Sequence, residues 1–170
     1  MKLPDTFADQ TNNVNVIIET PKGSRNKYTY HPESGLFQLG KILPAGLVFP
    51  LDFGFIPETK AEDGDPVDVL VIMEVPGFAG CFVECRIIGV IEAEQTERNH
   101  KKVKNDRLLA IPVDSNQFAK IKTIDDLDKT FLNEIIEFFV QYNEMGGKNF
   151  KLQNISGPDV ALTLVKKQMT

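Results

Sequence analysis

The chain has 170 residues, 42% of them hydrophobic and 25% charged, a composition suited to one globular domain with a sizeable core. A net charge of −5 excludes a broad nucleic-acid surface, because affinity for a phosphate backbone comes from a clustered basic face. No stretch approaches the roughly 20 apolar residues that span a bilayer, and MKLPDTFADQTNN lacks the apolar centre of a secretory signal, so the expectation is a cytoplasmic protein without a membrane partner.

Taken in chain order, VNVIIET (14–20) alternates and carries β-branched residues, the mark of a strand. NKYTYHPESG (26–35) and GLFQLGKILP (35–44) read as hairpin partners around a Pro and Gly turn. The aromatic run GLVFPLDFGFIPET leads into the acidic stretch EDGDPVD (62–68), and VDVLVIMEV then reads as a buried strand bounded by Pro76 and Gly77. After a turn at GFAG, CFVECRIIGVIEAE reads as one long strand and LLAIPV (108–113) as another. From Asp125 onward, apolar residues at Leu127, Phe131, Ile135, Phe138, Tyr142 and Met145 keep helical spacing, with acids in the first turn and Gly146-Gly147 as the stop. A shorter helix is expected from about Pro158 through DVALTLVKKQ. With no repeat or linker, residues 1–170 read as a single α+β domain, mainly β, with helices packed on a small barrel or sheet.

Cys81 and Cys85 are four apart in a predicted strand, about 13 Å from each other, beyond the roughly 7 Å limit for a disulfide. Two buried thiols in a reducing compartment are expected. His31 and His100 stand in polar surroundings without a second ligand at zinc-like spacing, as surface or turn residues do.

The acidic stretch asks for a chemical explanation. Asp63 and Asp65 share a side in an extended backbone, Asp68 normally takes the other, and Gly64 and Pro66 break the alternation so that all three can converge. Like charges about 4 Å apart repel by about 4 kcal/mol at an effective dielectric near 20. A hard divalent ion, Mg²⁺ for preference, relieves that repulsion. A solvated acidic loop is the plainer alternative, but VDVLVIM plants Asp68 at the entrance of a buried strand, where an unpaired charge is costly. An EF-hand does not fit, because Val67 and Asp68 stand where a ligand and a glycine are required. Mg²⁺ held by few protein oxygens usually serves a phosphate. Lys27, Lys41, Arg107 and Lys148 stand at predicted strand or turn boundaries: each alone reads as a solvated cation, and together they are candidates to meet an anion.

In this order, IIETPKG, KYTYHPESGLFQLGKILP, FPLDFGFIPET, EDGDPVDVLVI, RIIGVIEAE, LLAIP, EFFVQYNEM and GGKNF resemble the soluble inorganic pyrophosphatases of family I over about residues 14 to 152. D-G-D-P-V-D ahead of an apolar strand is the most specific part. The resemblance implies an OB-like five-stranded β-barrel with flanking helices, Mg²⁺-dependent hydrolysis of pyrophosphate to two phosphates and, for bacterial members, a homohexamer. It implies that Asp63, Asp65 and Asp68 hold metal, that Asp65 accepts the proton of the attacking water, and that Glu19 is a metal-linked glutamate. Lys27 and Tyr142 match phosphate-holding residues, and Lys148 lies near another, with its spacing from Tyr142 differing by one.

The chain also departs from the family. Lys41 stands for an arginine and Arg107 for a lysine, so charge is kept while the bidentate fork moves. Phe53 stands for an active-site tyrosine, Thr29 for a glutamate and Asn143 for a lysine. Weaker substrate binding or slower turnover is the expectation for Phe53, which donates no hydrogen bond. Two metal-binding aspartates fall on Gln95 and Asn105, the latter after the lengthened loop ERNHKKVKND. Glu94, Glu97, Asn105 and Asp106 are the candidates to complete the metal set, although Asp106 needs a bulge to reach the side that Asn105 faces. Two other readings stay open: a catalytically weak phosphate- or nucleotide-binding homologue, and a hydrolase of another phosphoanhydride.

Overall fold

The computed structural model describes residues 2–170. Among these run nine strands: β1 (Val14–Thr20), β2 (Asn26–His31), β3 (Leu36–Ile42), β4 (Asp52–Ile56), β5 (Val67–Val71), β6 (Phe82–Thr96), β7 (Lys102–Lys104), β8 (Arg107–Pro112) and β9 (Asn149–Ser156). Two helices, α1 (Lys129–Met145) and α2 (Pro158–Lys167), complete the order. The strands β1, β4, β5, β8 and β6 hydrogen-bond in that sequence, and β6 returns to pair with β1, closing a strongly twisted five-stranded OB-like barrel. All barrel pairings are antiparallel except β5 with β8.

Alternation along these strands loads two apolar clusters at once. Val67, Val69 and Val71 join Val14, Val16, Ile18, Leu108 and Ala110 in one, to which α2 adds Ala161 and Val165. Leu70 joins Leu109 and Ile111 in the other, beneath Ile135, Phe138 and Phe139 of α1. Burial on both faces explains why these strands read as continuous apolar runs. Each fully buried side chain contributes about 1.5–3 kcal/mol.

The expected hairpin of β2 and β3 forms its own two-stranded sheet. The long strand β6 outruns the barrel, and its far half pairs with β7 and β9, two strands that the sequence analysis did not assign. Helix α1 begins at Lys129, four residues later than Asp125. Asp128 is its N-cap and accepts from the N–H groups of Thr130 and Phe131 at 2.8 and 3.2 Å, while Asp125 and Asp126 belong to a preceding 3₁₀ turn. The run VDVLVIMEV leaves the sheet after Val71, and Glu74 instead accepts from the Ser115 hydroxyl and the N–H groups of Asn116 and Gln117. Cys85 is buried, with its thiol pKa raised by that burial, whereas Cys81 precedes β6 and is only half-buried; both are free. His31 and His100 are exposed, as expected. No helix among the described residues is long and apolar enough to cross a membrane.

Closure of the barrel is tightest where β4 crosses β1. A Cβ at Gly54 would lie 2.2 Å from the backbone oxygen of Ile17, so only a hydrogen fits there. Gly54→Ala is expected to destabilise the fold by about 3 kcal/mol or more, because backbone rather than a flexible side chain must yield; urea unfolding of the two proteins measures it.

Candidate active site

The floor of the site is one face of three neighbouring strands. Phe53 and Phe55 on β4, Asp68 on β5 and Arg107 on β8 all face it, with Phe55 directly opposite Asp68 in the ladder. Because β5 and β8 run parallel with Val69 beside Leu108, the residues just before them meet: Arg107 Nη1 and Asp68 Oδ2 are 2.5 Å apart. The guanidinium also lies 5.8 Å from the Phe53 ring centroid and 5.2 Å from that of Phe139. Burial pushes the Asp68 pKa up; Arg107 and then Lys27 act against that, while Asp63 and Asp65 add to it.

Above this floor stands the acidic loop. Gly64 takes φ +94°, a conformation that only glycine adopts freely, and donates its N–H to Ala61. Ala61 N–H in turn donates to the Asp65 oxygen at 2.8 Å, and Asp65 N–H donates to Asp63 Oδ1 at 3.1 Å. This local turn aims both exposed aspartates at a cleft of about 690 Å³ that Asp68 and Glu19 also line. Glu19 arrives there from β1, where the register with β4 slips between Ile18 and Thr20. It is 7% exposed and accepts the Tyr30 N–H at 2.6 Å.

The three aspartates share the cleft without meeting at a point. Among the described residues, no three acidic, histidine or cysteine side chains already stand at metal-holding separations. The donor set nevertheless suits a hard cation: five carboxylates, Glu19, Asp63, Asp65, Asp68 and Glu97, face one space, and only Asp68 and Glu97 are in ion pairs among the described residues.

Opposite lies a basic wall. Lys27 and Lys41 are directly paired across β2 and β3, an arrangement in which like charges repel. Their ammonium groups lie 5.8 and 4.5 Å from the Tyr142 ring centroid, which eases but does not neutralise the pair. Lys148 follows the C-terminus of α1 and pairs with Glu97 at 2.8 Å. Arg98, which sequence reasoning missed, also lines the cleft and donates from Nε to the Gly146 oxygen at 2.7 Å. Its only signal was the basic character of the lengthened loop.

The candidates for completing the metal set separate cleanly. Gln95, Glu97 and Asn105 line the cleft. Glu94 is on the other side of β6, paired with Lys102 at 2.9 Å. Asp106 also faces away, accepting the Ala93 N–H at 3.0 Å, because no bulge interrupts the alternation from Asn105 to Arg107. Neither Glu94 nor Asp106 therefore reaches the aspartates. Asn143, in the position of a family lysine, donates its side-chain amide to the Phe139 oxygen at 2.8 Å within α1.

Burial is the main force on Glu19 and raises its pKa to about 7; the Tyr30 N–H and Lys27 act against it, and Asp68 and Asp65 reinforce it. A carboxyl raised in the folded state holds its proton where the unfolded chain has lost it. Stability of the metal-free protein therefore falls as pH rises from about 4.5 to about 7. Glu19→Gln is expected to reduce that fall by about 3 kcal/mol, read as the difference in urea-unfolding free energy between pH 4.5 and pH 8 in the presence of a chelator.

Comparison with known proteins agrees with this geometry. The inorganic pyrophosphatase family model matches residues 16–170. An inorganic pyrophosphatase of Geobacillus stearothermophilus is 35% identical over 152 residues, 89% of each chain. One from Synechocystis is 37% identical over 155 residues, covering 91% of this chain and 88% of that protein. The crystal structure of the inorganic pyrophosphatase from Thermus thermophilus superposes with a TM-score of 0.88 at 32% identity, over 97% of this chain and 93% of that one. With a shared barrel and an acidic loop facing a basic wall, this chain belongs to the inorganic pyrophosphatase family.

Proposed function

We propose that this chain hydrolyses inorganic pyrophosphate to two phosphates with Mg²⁺ as cofactor. The observation that carries the reading is the gathering, within one cleft, of Asp63, Asp65, Asp68 and Glu19 with Lys27, Lys41, Arg98, Arg107 and Lys148. The carboxylates suit divalent ions, and the cations suit the oxygens of a phosphoanhydride. Mg²⁺ held by the four carboxylates would supply charge neutralisation and the acidification of a water molecule.

The remaining work falls to the protein's own groups. Asp65, exposed at the cleft mouth, takes the proton of the attacking water on a carboxylate oxygen. Lys27, Lys41, Arg107 and Lys148 hold phosphate oxygens and stabilise charge on the leaving phosphate, chiefly by position. Tyr142 supports the two lysines with its ring. Phe53 adds an apolar flank without a donor, consistent with weaker substrate binding than a tyrosine there would provide.

A cytoplasmic homo-oligomer, a hexamer by family likeness, completes the proposal. Exposed Val75, Phe78 and Phe82, at 72%, 67% and 56%, support a face covered by further copies. The amides at Gln95 and Asn105 favour one rival, a binding protein with little catalysis. Phosphate release from pyrophosphate separates the two. Purified protein with Mg²⁺ is expected to turn over, EDTA to stop it, and Asp65→Asn to lower kcat by about 10²–10⁴. No release with Mg²⁺, Mn²⁺, Zn²⁺ or Co²⁺ would sink the hydrolase reading, and a panel of phosphorylated compounds tests for another anhydride as substrate.

A further inference from the structure

The wall facing the acidic loop holds an ordered chain of hydrogen bonds. Arg107 Nη1 donates to Asn105 Oδ1, Asn105 Nδ2 donates to Gln95 Oε1 at 2.6 Å, Gln95 Nε2 donates to Glu97 Oε1 at 2.5 Å, and Glu97 Oε2 meets Lys148 Nζ at 2.8 Å. Gln95, Asn105 and Arg107 are 6%, 8% and 6% exposed, so water does not compete freely for these partners.

The direction of the chain is imposed from its ends. A guanidinium has no acceptor, so Asn105 must present its oxygen to Arg107 and its nitrogen to Gln95. Gln95 must then accept through oxygen and donate through nitrogen, and only an acceptor such as the Glu97 carboxylate can receive that last proton. Both amides are thereby locked in one orientation, and neither brings a negative charge to the cleft. Arg107 is paired with Asp68 and Lys148 with Glu97, so the net positive charge of the wall comes from Arg98, which lines the same cleft and is in no ion pair among the described residues. Such a wall repels a divalent cation and attracts a phosphate.

We propose that this wall is a phosphate-holding, cation-excluding surface in which Gln95 and Asn105 are positioning residues for Arg107, so that divalent ions are held only by Asp63, Asp65, Asp68 and Glu19. The identity of the anion rests on the pyrophosphatase reading. The division of labour between the walls is a property of these side chains alone.

Counting Mn²⁺ by electron paramagnetic resonance in substrate-free protein tests the division directly. The Gln95→Asp/Asn105→Asp variant turns the wall from net positive to net negative, and it is expected to bind one more Mn²⁺ per chain than the wild type. Calorimetric titration with inorganic phosphate in EDTA is expected to show a Kd at least tenfold weaker in the variant. An equal Mn²⁺ count, or a phosphate Kd weakened less than tenfold, overturns the proposal. Should that variant not fold, Gln95→Glu keeps the shape but sets two acceptors against each other, and is expected to raise KM for pyrophosphate at least tenfold. The swap Gln95→Glu/Glu97→Gln restores a continuous donor order at unchanged total charge and is expected to return KM to within threefold of the wild type. A smaller rise in the single variant, or no recovery in the swap, counts against the chain. Pyrophosphate hydrolysis by the wild type tests the functional reading separately, and the Mn²⁺ count does not depend on it.

Discussion

Asp68 and Arg107 meet at 2.5 Å across the one parallel pairing of the barrel, on a face otherwise built from Leu70, Leu109 and Phe53. Neither charge belongs there by hydrophobicity, and each is tolerable because the other is adjacent. The pair ties the register of β5 to that of β8: a one-residue slip would turn one charge into the apolar core and leave the other unpaired. Removing either partner costs about 3–5 kcal/mol in comparable buried pairs. Compensation is incomplete, since burial still outweighs Arg107 in raising the Asp68 pKa. A further positive charge near Asp68 is therefore favourable, and the cleft above it is where a cation would come.

The rest of the site hangs from that pair. Arg107, Asn105, Gln95 and Glu97 follow one another in a single hydrogen-bonded chain, which Lys148 anchors at its far end just ahead of β9. On the other flank, a slip in the β1–β4 register accompanies Glu19 into the cleft beside Asp68. The β2–β3 hairpin brings two opposed lysines, stable at that distance because the Tyr142 ring of α1 lies beneath both. Each contributing segment carries a local feature that would be unfavourable alone: a buried glutamate, facing lysines, a half-buried aspartate. In the proposed reaction, a phosphate with its counter-ions would resolve all of them together.

The amide chain also gives physical sense to departures that look like losses in sequence. Where the resemblance implies carboxylates, the amides of Gln95 and Asn105 keep the wall hydrogen-bonded and, on the proposal above, make it less negative. Lys41 and Arg107 exchange the fork and the point charge between two positions, and the forked group occupies the one that must serve Asp68 and Asn105 at once.

What could be read from the chain alone was whatever depends on residues near one another. Alternation located β1, apolar runs located β5, β6 and β8, helical spacing located α1, Pro158 with the terminal lysines located α2, and Gly64 between two aspartates marked a turn that glycine alone makes cheaply. The same local logic placed Asp106 on the side away from Asn105 unless a bulge intervened, and none does. The strands β7 and β9 were illegible because β6 supplies their hydrogen bonds and leaves few of their side chains buried. The N-terminus of α1 was set too early because Leu127 already fits the helical spacing, whereas Asp126 accepts from the Lys122 and Thr123 N–H groups in a separate 3₁₀ turn and Asp128 caps the helix. Arg98 and the Gln95–Asn105 link were decided by tertiary structure alone. Their partners are 48 and 10 residues away, and no local propensity encodes a hydrogen bond whose two ends meet only after the barrel has closed.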